Sequence, residues 1–350
     1  MRNPRINYPF NCWYVAALRD EVGPELFARR LLDIPVMLYR RGDGSVVAME
    51  DRCAHRPHPL SDGRRDGDLV RCGYHGFAYD PAGDLVDVPS QDNVPRGVRI
   101  RTYPVVEQGP FIWIWLGDPG AAALRTPPRV PWLADGSNWA SSLEVLGIEA
   151  NYLLLHEHYL DLTNVFTLHP EMVPPDIEVL PPLEKVEVSE RSVAYFRTTP
   201  PSRLAPWETQ ATGLPADTSG IRREEGIFVS PALHVQRYVI EPTDAAPRQL
   251  VRVQGFTPES PGVTHIFLQM VRDYAIDDDA VGKFLATMFH EWAERDAVAL
   301  ETVQRRRDED ALPRREFNVK ADRAAVRARR IALDMVDEES GRLTREWTAI

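Results

Sequence analysis

Long apolar runs are missing from this 350-residue chain: none approaches the ~18 residues needed to span a bilayer. The opening Met1-Arg2-Asn3-Pro4 carries no signal-peptide core either, so a soluble, cytoplasmic protein with no membrane partner is expected. Cysteine is scarce, and Cys12, Cys53 and Cys72 cannot build the disulfide framework of a small secreted fold. Basic residues are outnumbered, and a net charge of −11 argues against non-specific nucleic-acid binding. No Gly-x-Gly-x-x-Gly fingerprint or flavin motif appears, so any nicotinamide or flavin chemistry belongs to a separate chain. No internal repeat is found. With 43% hydrophobic residues, the chain has enough apolar material for two packed domains.

Against that background two stretches stand out, Cys53-Ala54-His55-Arg56 and Cys72-Gly73-Tyr74-His75-Gly76, with the sixteen residues 56 to 71 between His55 and Cys72. Each supplies one cysteine and then one histidine. In a Rieske [2Fe-2S] cluster two thiolates hold one iron and two imidazoles the other, which raises the reduction potential above that of an all-cysteine cluster. A structural zinc site uses the same residue types, but zinc sequences usually pair like ligands, Cys with Cys and His with His. Gly73 and Gly76 allow tight backbone approach, and Pro57 and Pro59 stiffen the first loop. His58 reads as a loop residue and Cys12, beside Trp13-Tyr14, as a small core residue. Arg52, Arg56, Arg64, Arg65 and Arg71 surround these loops, interrupted by Asp62, Asp66 and Asp68. They form either a basic rim that steers an acidic electron donor or an ordinary mixed surface.

Short β-like runs at 36–39, 45–49, 69–72, 77–79 and 111–116, divided by turn signals, predict a small all-β domain over 1–125. A proline-rich linker is expected over 126–135 and a second domain over 136–350. In the second domain, residues 150–168 read as a helix, and alternating runs follow at 183–199, 226–240, 249–256 and 263–274. A long helix is expected from Asp279 to Arg307, with Asp277 or Asp278 as cap and Phe284, Met288, Trp292, Val298 and Val303 as an apolar stripe. The order predicts an α+β domain, an antiparallel sheet packed on a long C-terminal helix. Residues 200–225 read as a mobile loop of the active-site lid kind, and 307–330 as a solvated terminal helix.

Three histidines, two acids and an asparagine fall between His156 and His169, a plausible source of ligands for an open iron(II) site built from two imidazoles and a carboxylate. Taken alone, such a cluster also fits a polar helix surface.

The residues 53–56 and 72–76 closely resemble the Rieske domain of the Rieske non-heme iron oxygenases, and 151–170 resembles the catalytic helix of their vanillate-demethylase and dicamba-monooxygenase branch. In that branch an Asn is followed by an Asp three positions on, a His three further and a second His after five more. Laid on this chain, the Asp is Asp161 and the second His is His169, but the first His becomes Asn164 and the Asn becomes His158. Two hypotheses follow: His158 supplies the missing imidazole, or Asn164 replaces the ligand outright and leaves weak iron affinity. On an ideal helix the two would point ~120° apart, so the exchange requires local distortion. Glu294-Arg295-Asp296 to Glu301 resembles the family's acid-bearing helix, which makes Asp296 the third ligand and leaves Glu294 and Glu301 as helix charges.

The resemblance implies a helix-grip, START-like catalytic domain and two cofactors, a Rieske [2Fe-2S] cluster and mononuclear non-heme Fe(II). It implies a homotrimer, in which Asp161 bridges a cluster histidine of one subunit to an iron-bound histidine of the next. The expected activity is that of a terminal oxygenase. It takes electrons from a ferredoxin or flavin reductase and uses O2 to hydroxylate, or O- or N-demethylate, a small aromatic or related substrate. A relative with an impaired iron site, acting in electron transfer or ligand binding, is the alternative. Trp207, Phe228, His234, Phe267, Phe289 and Trp292 are pocket candidates equally well explained as core.

Overall fold

The computed structural model describes residues 8–133, 138–311, 314 and 316–347, with side chains as far as 341. Residues 1–4 and the last part of the expected linker, 134–135, lie outside the described residues. The chain divides into two compact units. One holds Phe10–Arg129 with Thr257–Ser260, and the other holds Tyr8, Pro9 and the residues from Val130 onward apart from Thr257–Ser260.

The first unit is all β. Trp13–Leu18, Phe111–Trp115 and Val105–Gln108 form an antiparallel three-stranded sheet, and Phe27–Leu31, Ile34–Arg40, Val46–Glu50 and Thr102–Tyr103 a four-stranded one. A third sheet, Arg64–Asp66, Leu69–Arg71, Ala78–Tyr79 and Leu85–Asp87, carries the cysteine–histidine loops at its ends. Met37, Tyr39, Leu60, Val70 and Tyr79 pack with Cys53 and Cys72 in one buried cluster, so the two sulfurs sit at the edge of a core. One backbone and one side-chain bond add the tip of a strand from the other stretch of sequence: Leu32 N donates to Pro258 O (2.7 Å) and Thr257 Oγ1 to Val15 O (2.7 Å).

The second unit is built on one antiparallel sheet in the order Ala140–Ile148, Val263–Arg272, Arg248–Ser260, Leu233–Pro242, Ser219–Ser230, Val193–Thr198, Lys185–Val188. The helix Asp279–Glu309 lies on it, with Trp207, Leu250, Met270, Met288, Phe289 and Trp292 packed between. This is the expected α+β arrangement of sheet and long helix. Asp278 caps that helix, accepting from Ala280 N and Val281 N, an interaction worth about 1 kcal/mol. The buried stripe is Leu285, Met288, Phe289, Trp292, Asp296 and Leu300, rotated from the expected one: Val298 and Val303 are exposed.

Three other expectations are corrected. The helix expected over 150–168 ends at Asp161, because Leu162 adopts a left-handed φ of 57°, and a separate short helix runs Val165–Leu168. For a branched residue this conformation costs about 1–2 kcal/mol. Residues 200–225 are not an unstructured loop. They hold the helix Pro206–Thr212 and the start of a central strand, tied together by Arg222, whose guanidinium donates to both Glu208 carboxylate oxygens (2.9 and 2.5 Å) with both residues fully buried. Breaking such a pair costs about 3–5 kcal/mol. The terminal helix, Arg323–Trp347, is only partly solvated, since Ala324, Ala325, Ala328 and Ala332 pack beside Leu160 and Tyr195. Among the described residues no helix is long and apolar enough to cross a membrane.

Candidate metal centres

The cysteine–histidine loops approach each other closely. A side chain at Gly73 would bring its Cβ within 2.7 Å of Asp62 O in the facing loop, and Gly76 takes a left-handed φ of 76° with Pro89 against it. Cys53 N donates to His58 O and Gly76 N to Cys72 O, which turns each loop back on itself. Cys53 and Cys72 are free and buried, whereas His55 and His75 are exposed. The two imidazoles meet edge to face at 4.6 Å between ring centres, and His55 stacks on Phe77 at 4.5 Å. Burial, then contact with Cys53, pushes the Cys72 thiol up from its ordinary range, which records two sulfurs held side by side. Tyr79 OH lies 3.2 Å from Cys53 Sγ and accepts from Ala54 N. Two adjacent sulfurs inside and two adjacent imidazoles outside are the donor set of a Rieske cluster, and the residues fit it.

The segment 151–170 distributes its polar groups among different tasks. Asn151 caps the helix Tyr152–Asp161 through Leu153 N. His156 is a core residue: Nε2 meets Pro231 O at 3.0 Å, the ring abuts Phe228 and Phe256, and burial pushes its pKa down to about 4. Glu157 pairs with Arg329. Asp161 accepts from Thr163 Oγ1 (2.7 Å) and Thr163 N, and among the described residues it makes no hydrogen bond to His158, His169 or Asp296. Asn164 stands at the start of the short helix without capping it through its side chain.

His158 and His169 instead converge on Asp296. Their Nε2 atoms lie 3.1 and 2.7 Å from the same carboxylate oxygen, Oδ1, with side-chain exposures of 9%, 3% and 7%. Burial alone would raise the Asp296 pKa; hydrogen bonds donated by the two imidazoles outweigh it and hold the carboxyl well below the usual range. The break at Leu162 is what permits this, because a continuous helix would put His158 and His169 on one face but about 16 Å apart along its axis, too far to share one carboxylate oxygen. Asp296 sits in the buried stripe four residues beyond Trp292, an acid where an apolar residue is expected. Glu294 is exposed, and Glu301 accepts from Glu149 N. Two imidazoles and one carboxylate are the set that non-heme iron(II) takes. The three side chains close on one oxygen, and among the described residues no three such donors stand apart around an open point. A metal ion in place of the two shared protons suits this set.

A cavity lies within the same unit. Leu162, Val165 and Phe166, from the turn between His158 and His169, form one wall, and Trp207 and Phe289 form another. About 80 Å³ is open to the centre of a water molecule, well above the ~10–15 Å³ that one water occupies. Of the six pocket candidates, Trp207 and Phe289 line it, while Phe228, His234, Phe267 and Trp292 are buried and do not. The cavity's polar wall, Glu224, Gln236, Tyr238 and Arg252, was not anticipated from the sequence. Gln236 and Arg252 are direct cross-strand partners. The signal available was period-two alternation in Gln249–Phe256, which puts a charged residue on the face that Leu250 gives to the core.

Comparison with known proteins agrees with these features. Residues 12–104 match the Rieske [2Fe-2S] domain and residues 148–338 the vanillate O-demethylase oxygenase C-terminal domain. The iron-sulfur subunit of the toluene-4-sulfonate monooxygenase system of Comamonas testosteroni is 33% identical over 77% of this chain and 81% of its own length. The oxygenase component of dicamba O-demethylase from Stenotrophomonas maltophilia is 31% identical over 91% of this chain and 95% of its own. A crystal structure of dicamba monooxygenase with non-heme iron and dicamba superposes with a TM-score of 0.80 at 26% identity, covering 95% of this chain and 98% of that one. The chain belongs to the Rieske non-heme iron oxygenases, as an oxygenase component with a catalytic domain of the vanillate O-demethylase kind, and its cofactors are a Rieske [2Fe-2S] cluster and a mononuclear non-heme iron.

Proposed function

We propose that this oxygenase works in three parts: Cys53, His55, Cys72 and His75 hold the cluster, His158, His169 and Asp296 hold the iron, and the cavity beside the Leu162 turn takes a small aromatic or related substrate. When bound, the cluster supplies single-electron transfer and the iron activation of O2. The exposed His55 and His75 edges face a separate ferredoxin or flavin reductase, while the apolar walls from Phe166, Trp207 and Phe289 orient the substrate and limit water. Asp161 links subunits of a homotrimer, its carboxylate exchanging Thr163 for the imidazoles it joins. Hydroxylation and O- or N-demethylation are the outcomes. The functional division follows the sequence, with 1–125 for the cluster and 136–350 for oxygenation.

The observation that carries this reading is the convergence of His158 and His169 on one Asp296 oxygen. It favours His158, not Asn164, as the second imidazole ligand. Iron content of anaerobically purified variants tests it. The parent should hold about three irons per chain, two in the cluster and one mononuclear. His158→Ala should drop to about two with an unchanged cluster spectrum, and Asn164→Ala should keep all three. The reverse pattern would return the ligand role to Asn164.

A further inference from the structure

The cavity's polar wall is almost entirely spoken for. Glu224 accepts from Arg197 Nη1 at 3.0 Å. Gln236 donates to Tyr195 OH and takes His234 on its carbonyl side. Tyr238 OH donates to Glu208 at 2.7 Å, and Thr199 Oγ1 accepts from Arg222 N. Arg252 is the exception. Its guanidinium lies over two rings, 5.3 Å from the centre of Tyr159 and 5.1 Å from that of Phe289, and among the described residues it makes no hydrogen bond or ion pair.

Ring faces stabilise a cation but satisfy none of its five N–H donors. They hold the guanidinium plane in place, as recognition of a carboxylate requires. Arg197, Glu224 and Arg252 together carry one net positive charge on this side of the sheet, and Arg197, only 2% exposed, is already committed to Glu224. Arg197 Nε also lacks a partner among the described residues, but Arg197 does not line the cavity, so the unused donors that border it belong to the Arg252 guanidinium.

We infer that Arg252 is the specificity-determining residue of this cavity and binds the oxyanion, carboxylate or sulfonate, of an anionic aromatic substrate. This rests on the reading that the cavity is the substrate site. A planar two-pronged donor matches a carboxylate edge or two sulfonate oxygens, while Phe166, Trp207 and Phe289 take the ring. A carboxamide of the same shape offers one neutral acceptor oxygen and leaves a donor unpaired, and a sulfonamide keeps two oxygens but loses the charge that strengthens the bonds.

The test is calorimetric binding to the iron-loaded holoenzyme under anaerobic conditions, using matched pairs: 4-methoxybenzoate with 4-methoxybenzamide, and toluene-4-sulfonate with toluene-4-sulfonamide. At least one anion should bind about tenfold more tightly than its neutral partner, and comparison of the pairs separates carboxylate from sulfonate. Arg252→Gln should erase that ratio while leaving the amide's affinity within about twofold, and Arg252→Lys should restore part of it. Equal affinity within both pairs, no saturable binding of either anion, or a preference that survives in Arg252→Gln would overturn the inference. The wild-type ratio and Arg252→Lys decide the matter if Arg252→Gln does not fold. Because binding rather than turnover is measured, and iron is counted separately in His158→Ala, failure here is distinct from failure of the iron-site assignment.

Discussion

The two centres are assembled in opposite ways. The cluster loops lie within 53–76, with buried sulfurs and imidazoles open to solvent. The trio proposed for iron joins His158 and His169 to Asp296, which lies 127 positions beyond His169, all with nearly buried side chains. A site that must meet a protein donor needs an exposed edge, whereas one that handles O2 and a small substrate gains from enclosure, where electrostatic interactions are stronger. Local assembly leaves its mark in sequence spacing, while enclosure relies on the whole fold.

The largest expected effect breaks that comparison in half. Cys72→Ser should remove the Rieske spectrum and lower donor-driven turnover at least about a thousandfold, yet leave one mononuclear iron bound, because the trio shares no residue with the loops. Metal analysis with visible spectroscopy checks this; loss of both metals together would mean that the centres fold as one.

Asp161→Asn comes next. Both metals should be retained, while substrate oxidation driven by the donor falls about a hundredfold, since an amide cannot accept from two imidazoles as a carboxylate does. Unchanged turnover would leave Asp161 only its structural bond to Thr163.

How much of this was legible follows from the same contrast. The cluster loops and the β-rich unit could be read directly, because ligand order, glycines and turn residues are local signals. The long helix and its Asp278 cap were legible too, but the phase of its stripe was not: Met288 and Trp292 fit two neighbouring faces, and only packing on the sheet chose the one that turns Val298 outward. The Leu162 break carries no glycine or proline, so nothing local announced it. The reciprocal exchange with Asn164 marked His158 as one of two candidates for the missing imidazole, and its reach to Asp296 depends on that break. Segment 200–225 read as a loop from its Pro, Gly, Ser and Thr content, and the Glu208–Arg222 pair that organises it spans fourteen residues that no short-range pattern connects.

A smaller effect sharpens the contrast in burial. His234 is fully buried in the catalytic unit, whereas none of His55, His58 and His75 in the cluster unit is buried. Burial, and then the nearby His156, holds the His234 pKa well below its ordinary 6.5. The folded state keeps it neutral while the unfolded chain takes up a proton, so its stability contribution is complete above about pH 6.5 and is lost as pH falls below that value. The slope is at most about 1.4 kcal/mol per pH unit for this one group. Peptide-resolved hydrogen exchange, comparing wild type with His234→Phe at each pH from 7.5 to 5, should show strand Leu233–Pro242 weakening more steeply in the wild type. Parallel profiles would assign the acid sensitivity to other groups.

The smallest effect concerns the surface around the cluster loops, where the structure divides the five arginines. Arg65 is anchored by the carbonyls of Pro24, Arg40 and Gly67 and by Asp68, and Arg71 by Asp66 and Asp87. Their charges are offset locally; Arg71 ties the third sheet together, and Arg65 ties it to the end of the strand Ile34–Arg40. Arg52, Arg56 and Arg64 are exposed and, among the described residues, unpaired. If the rim steers a donor, these three supply the long-range field. Reversing all three to Glu should slow stopped-flow reduction of the cluster by a reduced acidic ferredoxin about three- to tenfold at low ionic strength, with the difference closing near 0.5 M salt as screening shortens the field. Arg65→Glu should instead lower stability with little dependence of the reduction rate on salt, because it removes bonds that anchor the third sheet to Pro24 and Arg40. If the triple reversal and wild type are reduced at the same rate at low salt, the donor finds the cluster by shape alone, and the arginines form a mixed-charge surface.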